Sequence, residues 1–157
     1  QASVRLRSDD QGRATWRSLS RASEFSVIYE EGVKLVGRLF VLYLYPGDDL
    51  ARAVVASRKV GDAVRRNRAK RLLREAFRAC VEKDPALVAD LRRRYWPDRT
   101  EPATLWLVAV ARTRIVGAGC DEVIAELTSL LQRPAAPAAS DRPDRRLAGR
   151  SRRGDRK

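Results

Sequence analysis

The stretch RRNRAKRLLREAFR, residues 65–78, places the tightest limit on how this chain can fold. Seven of its fourteen side chains are arginine or lysine. When residues 65–81 are placed on a helical wheel at about 100° per residue, six small or apolar side chains share an arc of roughly 140°. These residues are Ala69, Leu72, Leu73, Ala76, Phe77 and Cys80. The pattern predicts a helix over residues 62–81 that packs its apolar side into a core and turns its basic side outward.

The basic side of this predicted helix carries almost no compensating acid. Its central feature is an i,i+4 row of like charge made by Arg66, Lys70, Arg74 and Arg78. Each such pair repels by a few tenths of a kcal/mol. The row is explained if phosphates bind to it, because arginine makes forked contacts with phosphate and stacks on bases. The alternative is a well-solvated surface without a partner.

The positive charge of the chain is concentrated in two segments. The formal net charge is +13, of which residues 57–78 carry +7 and residues 133–157 carry +6. Two concentrated basic segments on a neutral background indicate a polyanion as partner. The second segment has almost no large apolar residue, so residues 133–157 are predicted to be a disordered basic tail. The tail could add affinity for such a polyanion, or it could only keep the protein in solution.

Residues 19–132 are expected to form one domain, after a flexible N-terminal extension over residues 1–18. The remaining elements follow from hydrophobic periodicity. We predict helices over residues 21–31, 83–96 and 120–133, and strands over residues 38–45, 51–59 and 104–112. Residues 33–37 could add a short edge strand.

Two connections in the predicted sheet can be read from local signals. The residues Pro-Gly-Asp-Asp at 46–49 break the first strand, and a hairpin is the simplest way to join it to the second. Residues 104–112 show no polar alternation, so both faces of that strand should be covered.

Helix ends are also marked in the sequence. Ser20 or Ser23 could cap the first helix, and Gly32 could end it. Asp84 and Pro85 fit the cap and the first turn of the helix over residues 83–96.

Three aromatic residues, Phe25, Tyr29 and Tyr43, could line one surface and stack on unpaired bases. The alternative is that they belong to the core. The hydroxyl groups of Tyr29 and Tyr43 favour a partly exposed position at a wet edge.

The composition argues against a protein active site. The chain has no histidine, the usual general base near neutral pH. Its cysteines, Cys80 and Cys120, stand far apart, and no group of residues has metal-ligand spacing.

No apolar run reaches about 18 residues, so we expect no membrane span. The absence of a disulfide framework fits a cytoplasmic location.

The basic helix also carries a family resemblance. SRKVGDAVRRNRAKRLLREAFR, residues 57–78, resembles the signature of the bacterial ribonuclease P protein subunit family. The matching residues are Arg66-Asn67-Arg68, Lys70-Arg71, and the ending Arg74-Glu75-x-Phe77-Arg78. ASEFSVIYEEG is similar to the first helix of the family and GRLFVLYLYP to its following strand, so the resemblance covers about residues 19–132.

The resemblance implies an α/β (α+β) sandwich in the order helix, three strands, helix, strand, helix. It further implies a left-handed βαβ crossover, against the right-handed default. The chain departs from the family pattern in its N-terminal extension, in an inserted helix near residues 84–96, and in its basic tail. These segments leave their own roles and the detailed RNA footprint open.

The resemblance also implies a function: a subunit of ribonuclease P that assists a catalytic RNA in removing the 5′ leader from precursor tRNA. Mg²⁺ bound mainly by the RNA would support the hydrolysis, with no protein cofactor, no catalytic residue and no small-molecule substrate. The implied RNA-subunit contacts are Arg66, Asn67, Arg68, Lys70, Arg71, Arg74 and Arg78. The implied leader contacts are Phe25, Tyr29, Tyr43 and Lys59. The alternatives are a structural, ribosomal-protein-like RNA binder and, ranked third, a DNA-binding protein.

Overall fold

A five-stranded sheet organises residues 16–133, the part of the chain that the computed structural model describes. Its strands, in chain order, are β1 (Arg17–Ser18), β2 (Val33–Val36), β3 (Phe40–Tyr45), β4 (Leu50–Val55) and β5 (Leu105–Ala111). The helices are α1 (Ala22–Glu31), α2 (Ala63–Phe77), α3 (Pro85–Tyr95) and α4 (Cys120–Leu131). Short helical turns occupy Arg58–Val60, Arg78–Glu82 and Thr113–Gly117. The mixed α/β class and the predicted order of elements are confirmed.

The apolar strand β5 lies at the centre of the sheet, whose order is β1-β4-β5-β3-β2. It pairs in parallel with β4 and antiparallel with β3, so the predicted hairpin between β3 and β4 is wrong. The turn at residues 46–49 instead carries the chain past β5. The physical reason is that β5 has an apolar side chain at every position, which suits the centre of the sheet, where helices cover both faces. The parallel β4–α2–α3–β5 connection is the predicted crossover, and its hand stays a prediction.

The two faces of the sheet are covered unequally. Alternate side chains of β3, such as Leu42 and Leu44, point into the main core with the apolar sides of α2, α3 and α4. On the other face α1 contributes Ile28 to a smaller cluster with Ala51 and Val108. One helix therefore covers this face of the sheet, whereas three helices cover the opposite face. Part of the aromatic surface on the face with one helix stays accessible.

The start of α1 differs from the prediction. Arg21, not Ser20 or Ser23, is the residue before the helix, and the carboxylate of Glu24 accepts hydrogen bonds from the backbone N–H groups of Ser20 and Arg21, both at 3.2 Å. A glutamate that reaches back from the first turn satisfies backbone donors at the helix start, whereas a serine cap would accept from backbone donors inside the first turn. Gly32 follows the helix as predicted.

Helix α3 begins as its sequence indicates. The side chain of Asp84 accepts a hydrogen bond from the backbone N–H of Leu87 at 3.1 Å, and Pro85 occupies the first turn. The apolar side chains Val88 and Leu91 are buried in the main core. The helix is thus an integrated part of the fold.

The chain ends of the domain are partly described. Arg17–Ser18, predicted to belong to a flexible extension, form the edge strand β1, which pairs in parallel with Ala51 and Arg52 of β4. The rest of the extension, residues 1–15, and the tail from residue 134 lie outside the described residues. Between residues 16 and 133, no helix is long and apolar enough to cross a membrane.

Candidate nucleic-acid interface

The turn before α2 sets the direction of the basic helix. Gly61 has a φ of 145°, in the region that favours glycine, and an added Cβ would approach the side chain of Arg65 to 2.8 Å. The side chain of Asp62 then caps α2 by accepting a hydrogen bond from the backbone N–H of Arg65 at 3.0 Å.

The predicted apolar side of α2 is the buried side. Five of its side chains lie in the main core: Ala69, Leu72, Leu73, Ala76 and Phe77. Cys80 follows in the next helical turn, half-buried, with its Sγ 3.6 Å from the hydroxyl of Thr128. Because α2 is anchored along one side, the basic side is held toward solvent.

Three of the predicted RNA-binding side chains already have partners inside the protein. Arg66 donates to the carbonyl oxygen of Gly61 at 3.0 Å. Arg68 donates to the carbonyl oxygen of Ala118 at 2.8 Å. Arg78 forms a salt bridge with Glu75 at 2.9 Å. These contacts fix the positions of the guanidinium groups and still leave other donors of each arginine for a ligand.

The other cations of this side have no such partner. Among the described residues, no acidic side chain forms a salt bridge with Lys70, Arg71 or Arg74. Arg71 and Arg74 are exposed, Lys70 is half-exposed, and the side chain of Asn67 is exposed between them. Together these four residues form what we call the α2 basic face.

A groove of about 210 Å³ extends from this face to the edge of the sheet. Arg74 lines one side, and Ser18 of β1 and Arg52 of β4 line the other. Arg52 is held there by a salt bridge with Glu82 at 3.0 Å and a hydrogen bond to the hydroxyl of Ser18 at 3.3 Å. No local pattern in the sequence points to Arg52, because its proximity to Arg74 depends on how the strands pair.

The predicted aromatic surface is brought together on the other face of the sheet. The ring centroids of Phe25 and Tyr29 are 6.1 Å apart, and those of Tyr29 and Tyr43 are 4.9 Å apart in an edge-to-face arrangement. Tyr29 is 37% exposed, and Phe25 and Tyr43 are half-buried. The expectation of partial exposure for both tyrosines is therefore confirmed.

The environment of Tyr29 keeps its hydroxyl protonated. Burial raises the pKa of Tyr29 above its ordinary value, and the neighbouring Tyr43 raises it further. The hydroxyl is thus a hydrogen-bond donor throughout the neutral range.

Two further aromatic residues extend this surface. Tyr45 and Trp106 are cross-strand partners whose ring centroids are 5.6 Å apart. Neither residue was predicted from the sequence, although Tyr45 follows Tyr43 by two positions and must share its face of the strand. Lys59 is exposed in the helical turn after β4. It follows Val55 by four residues, and Val55 packs against the smaller cluster that contains Ile28.

Arg17 fastens β1 to this surface. Its guanidinium lies 5.6 Å from the ring centroid of Trp106 and forms salt bridges with Asp49 at 2.6 Å and Glu24 at 2.9 Å. The hydrogen bond to Asp49, followed by the contact with Glu24, raises the pKa of Arg17 despite its partial burial. Within residues 16–133, no three acidic or cysteine side chains gather where they could hold a metal ion.

Most of the chain matches known proteins of one family. The family model Ribonuclease P matches residues 15–135. A ribonuclease P protein component from Nitratiruptor sp. is 32% identical over 117 residues, which cover 74% of this chain and 91% of the relative.

Solved structures agree. The RNase P protein from Thermotoga maritima is 25% identical with a TM-score of 0.55, covering 76% of this chain and 99% of that one. The RNase P protein from Staphylococcus aureus shares the fold, with a TM-score of 0.54 at 21% identity, covering 75% and 94% of the two chains. The family match spans most of the chain and includes the whole α2 basic face, and the chain therefore belongs to the ribonuclease P protein family.

Proposed function

We propose that the α2 basic face binds the RNA subunit of ribonuclease P, and that the chain thereby assists removal of the 5′ leader from precursor tRNA. The single observation that carries this proposal is the placement of Lys70, Arg71 and Arg74 on α2 and their lack of an acidic partner among the described residues. Their helix is anchored by five buried side chains, and they project from its other side without an acidic partner among the described residues.

Phosphate binding would reduce the electrostatic repulsion between the cations of the α2 basic face. Like charges at i,i+4 repel, as for Lys70 and Arg74, and the free protein bears that cost. When phosphates approach, each neutralised contact also releases counterions from the RNA, which favours binding at low salt. The partnered arginines Arg66, Arg68 and Arg78 would contribute their remaining donors to the same RNA contact.

The leader of the precursor would bind on the other face of the sheet. Phe25 and Tyr29 of α1 and Tyr43 of β3 form a continuous series of rings, and rings of this kind stack on unpaired bases whatever their sequence. Lys59 would contribute a positive charge to the backbone of the leader. Binding the leader and the RNA subunit on one rigid domain would raise the affinity of the holoenzyme for precursor over mature tRNA.

In this proposal the RNA subunit cleaves the phosphodiester bond, in the cytoplasm. Mg²⁺ would be bound mainly by that RNA and would supply the activated water and the charge stabilisation of the transition state. The protein would bring cations to a site where leader and RNA subunit otherwise repel each other. Its contribution should be largest when Mg²⁺ is scarce.

The test is leader removal from precursor tRNA by a bacterial ribonuclease P RNA at low Mg²⁺, with and without the full chain. We expect the chain to accelerate the reaction, and the acceleration to fade as Mg²⁺ is raised. The chain without RNA serves as a control and should not cleave. A matched RNA that gains no rate would instead support the structural RNA-binding alternative.

A further inference from the structure

The groove between α2 and the edge of the sheet is small, open to solvent and lined by two arginines. Its volume is about 210 Å³. The residues that line it are Ser18, Leu19, Arg52, Ala53, Val54 and Arg74. Sites that enclose a whole small molecule usually measure roughly 300–1,000 Å³, so this groove suits a single phosphate, sugar or base of a longer chain. Ser18 and Arg74, on its two sides, are exposed, so the groove can be entered from outside.

Arg52 is held in the sheet side of the groove with one donor group left over. Its Nε donates to the carboxylate of Glu82 at 3.0 Å, and its Nη1 donates to the hydroxyl of Ser18 at 3.3 Å. The third nitrogen, Nη2, has no hydrogen-bond partner within residues 16–133, and it is not closed off from solvent. A guanidinium that is already fixed by two of its nitrogens loses little conformational freedom when the third binds an anion, which favours binding.

Arg74 supplies an uncompensated charge on the helix side of the groove. It forms no salt bridge with any acidic side chain that the structure describes. Glu82, which pairs with Arg52, is not among the residues that line the groove. The described lining therefore contains two guanidinium groups and no carboxylate. A phosphate between them would accept charge-assisted hydrogen bonds from both sides of the groove.

The open edge of β4 adds backbone groups to the groove. β1 pairs with β4 only at Ala51 and Arg52, and the last bond of this pairing runs from the N–H of Leu19 to the carbonyl oxygen of Arg52 at 3.0 Å. Alternate residues of a strand direct their backbone groups to the same side, so the N–H and C=O of Val54 face the space beyond the end of β1. No other described strand lies on that side of β4. The polar groups of a nucleotide could bond to this edge, with the side chain of Val54 as an apolar contact.

We propose that this groove binds one nucleotide of the RNA subunit, with its phosphate between Arg52 and Arg74 and its sugar or base against Val54. RNA is the expected occupant because Arg74 belongs both to the groove and to the α2 basic face, so an RNA strand bound along α2 reaches the groove without leaving positive charge. The proposal rests on the proposed function for the identity of the RNA. It adds Arg52, a residue of the sheet, to the contacts made by α2. An acidic protein segment would use the same two arginines, and the groove variants would then bind the RNA like the wild type.

The first test measures the affinity of the full chain for a bacterial ribonuclease P RNA, without precursor tRNA, in Ser18→Asp and Ser23→Asp. In Ser18→Asp the new carboxylate stands beside Arg52, where it competes with a phosphate for the guanidinium. We expect RNA binding about tenfold weaker than in the wild type, the size of one lost charged contact. The unfolding temperature should not fall, because the carboxylate still accepts the hydrogen bond from Arg52. Ser23→Asp adds the same charge at an exposed position of α1 and should bind like the wild type.

A double-mutant cycle covers the case in which Ser18→Asp does not fold. Arg52→Lys keeps the charge that pairs with Glu82 but loses the forked donors of the guanidinium. If Arg52 and Arg74 hold the same phosphate, Arg52→Lys should weaken RNA binding less in a chain that already carries Arg74→Gln. In a chain that carries Arg71→Gln, outside the groove, the two fold-losses should simply multiply. Losses that multiply in both chains would assign the two arginines to separate contacts and overturn the proposal.

The remaining outcomes separate the groove from the proposed function. Equal losses in Ser18→Asp and Ser23→Asp would overturn the groove, because added negative charge alone would explain them. If Ser18→Asp and Arg52→Lys bind RNA like the wild type while the wild type accelerates leader removal, the groove fails and the proposed function stands. If the wild type accelerates nothing but Ser18→Asp alone weakens RNA binding, the proposed function fails and the groove stands.

Discussion

Arg68 of α2 donates a hydrogen bond to the carbonyl oxygen of Ala118, which lies 50 positions further along the chain, at 2.8 Å. A second donor of the same guanidinium reaches the carbonyl oxygen of Val116 at 3.3 Å. Arg68 thereby joins the basic helix to the turn that precedes α4. A residue selected from the sequence as an RNA contact is therefore also a structural tie.

The first prediction concerns this tie. Arg68→Ala should lower the free energy of unfolding by about 1–3 kcal/mol, because two carbonyl oxygens lose a charged donor. Arg71→Ala, which removes the same charge from an exposed position of the same helix, should change stability by less than about 0.5 kcal/mol. Urea unfolding of both variants would measure the difference. Equal stabilities would show that the Arg68 contacts do not hold α2 in place.

The second prediction separates the cations of α2 by their existing partners. Arg74→Ala should weaken binding to the RNA subunit by about 1–3 kcal/mol, and so should Arg66→Ala, because the carbonyl partner of Arg66 is neutral and leaves its charge uncompensated. Arg78→Ala should cost less, because Arg78 is already paired with Glu75 at 2.9 Å. Filter binding at several salt concentrations would test the order. A larger loss for Arg78→Ala than for Arg74→Ala would contradict the assignment of the face.

The third prediction concerns the leader. Tyr29→Ala should reduce affinity for leader-bearing precursor by about 1–3 kcal/mol, the value of a lost stacking contact, and should affect mature tRNA less. Tyr29→Phe keeps the ring and is the control for stacking. Binding of both tRNA forms to the holoenzyme would be compared. Equal losses for precursor and mature tRNA would remove Tyr29 from the leader site.

The fourth prediction concerns acid stability. Burial alone would raise the pKa of Glu24, but hydrogen bonds from Arg17 and from the backbone of Arg21 and Ser20 bring it below its ordinary value of 4.5. A carboxyl with a lowered pKa stabilises the fold above its unfolded pKa, and this contribution is lost as the pH falls through the folded value. Glu24→Gln should therefore lose less stability than the wild type as the pH falls from 5 into the acid range. Unfolding curves with parallel pH dependence would contradict this.

The sequence was most informative where one local pattern decides the structure. The apolar period of residues 62–81 identified the buried side of α2, and the Asp84-Pro85 pair identified the start of α3. The unbroken apolar run of residues 104–112 required cover on both faces, and β5 is indeed the central strand. In each case the signal lies within the element that it describes.

The sequence failed where the structure depends on distant partners. The turn residues at 46–49 are compatible with a hairpin. β3 and β4 are separated because β5, from a later part of the chain, lies between them and pairs with both. The pairing of β1 with β4 likewise has no local pattern. The cap of α1 was missed because it is made from inside the first turn, where Glu24 accepts hydrogen bonds from the backbone N–H groups of Ser20 and Arg21.

The candidate site shows the same division. The α2 basic face follows from helical spacing, and the rings of Phe25, Tyr29 and Tyr43 do come together as expected. The carbonyl partners of Arg68 could not be foreseen, since they come from another part of the chain. Nor could the burial of Arg92, because it is the first of three consecutive arginines and the sequence does not show which of them points into the protein.

The most direct test of the central claim replaces the three unpaired cations of the α2 basic face together. Lys70→Gln, Arg71→Gln and Arg74→Gln in one chain would be compared with Lys34→Gln, Arg38→Gln and Arg93→Gln, which remove the same charge from exposed positions elsewhere. RNA-subunit affinity would be measured against salt. We predict that the α2 variant binds far more weakly, with a salt slope reduced by about 2–3, while the control stays near wild type. Equal affinities and slopes in the two variants would show that the RNA does not dock on α2.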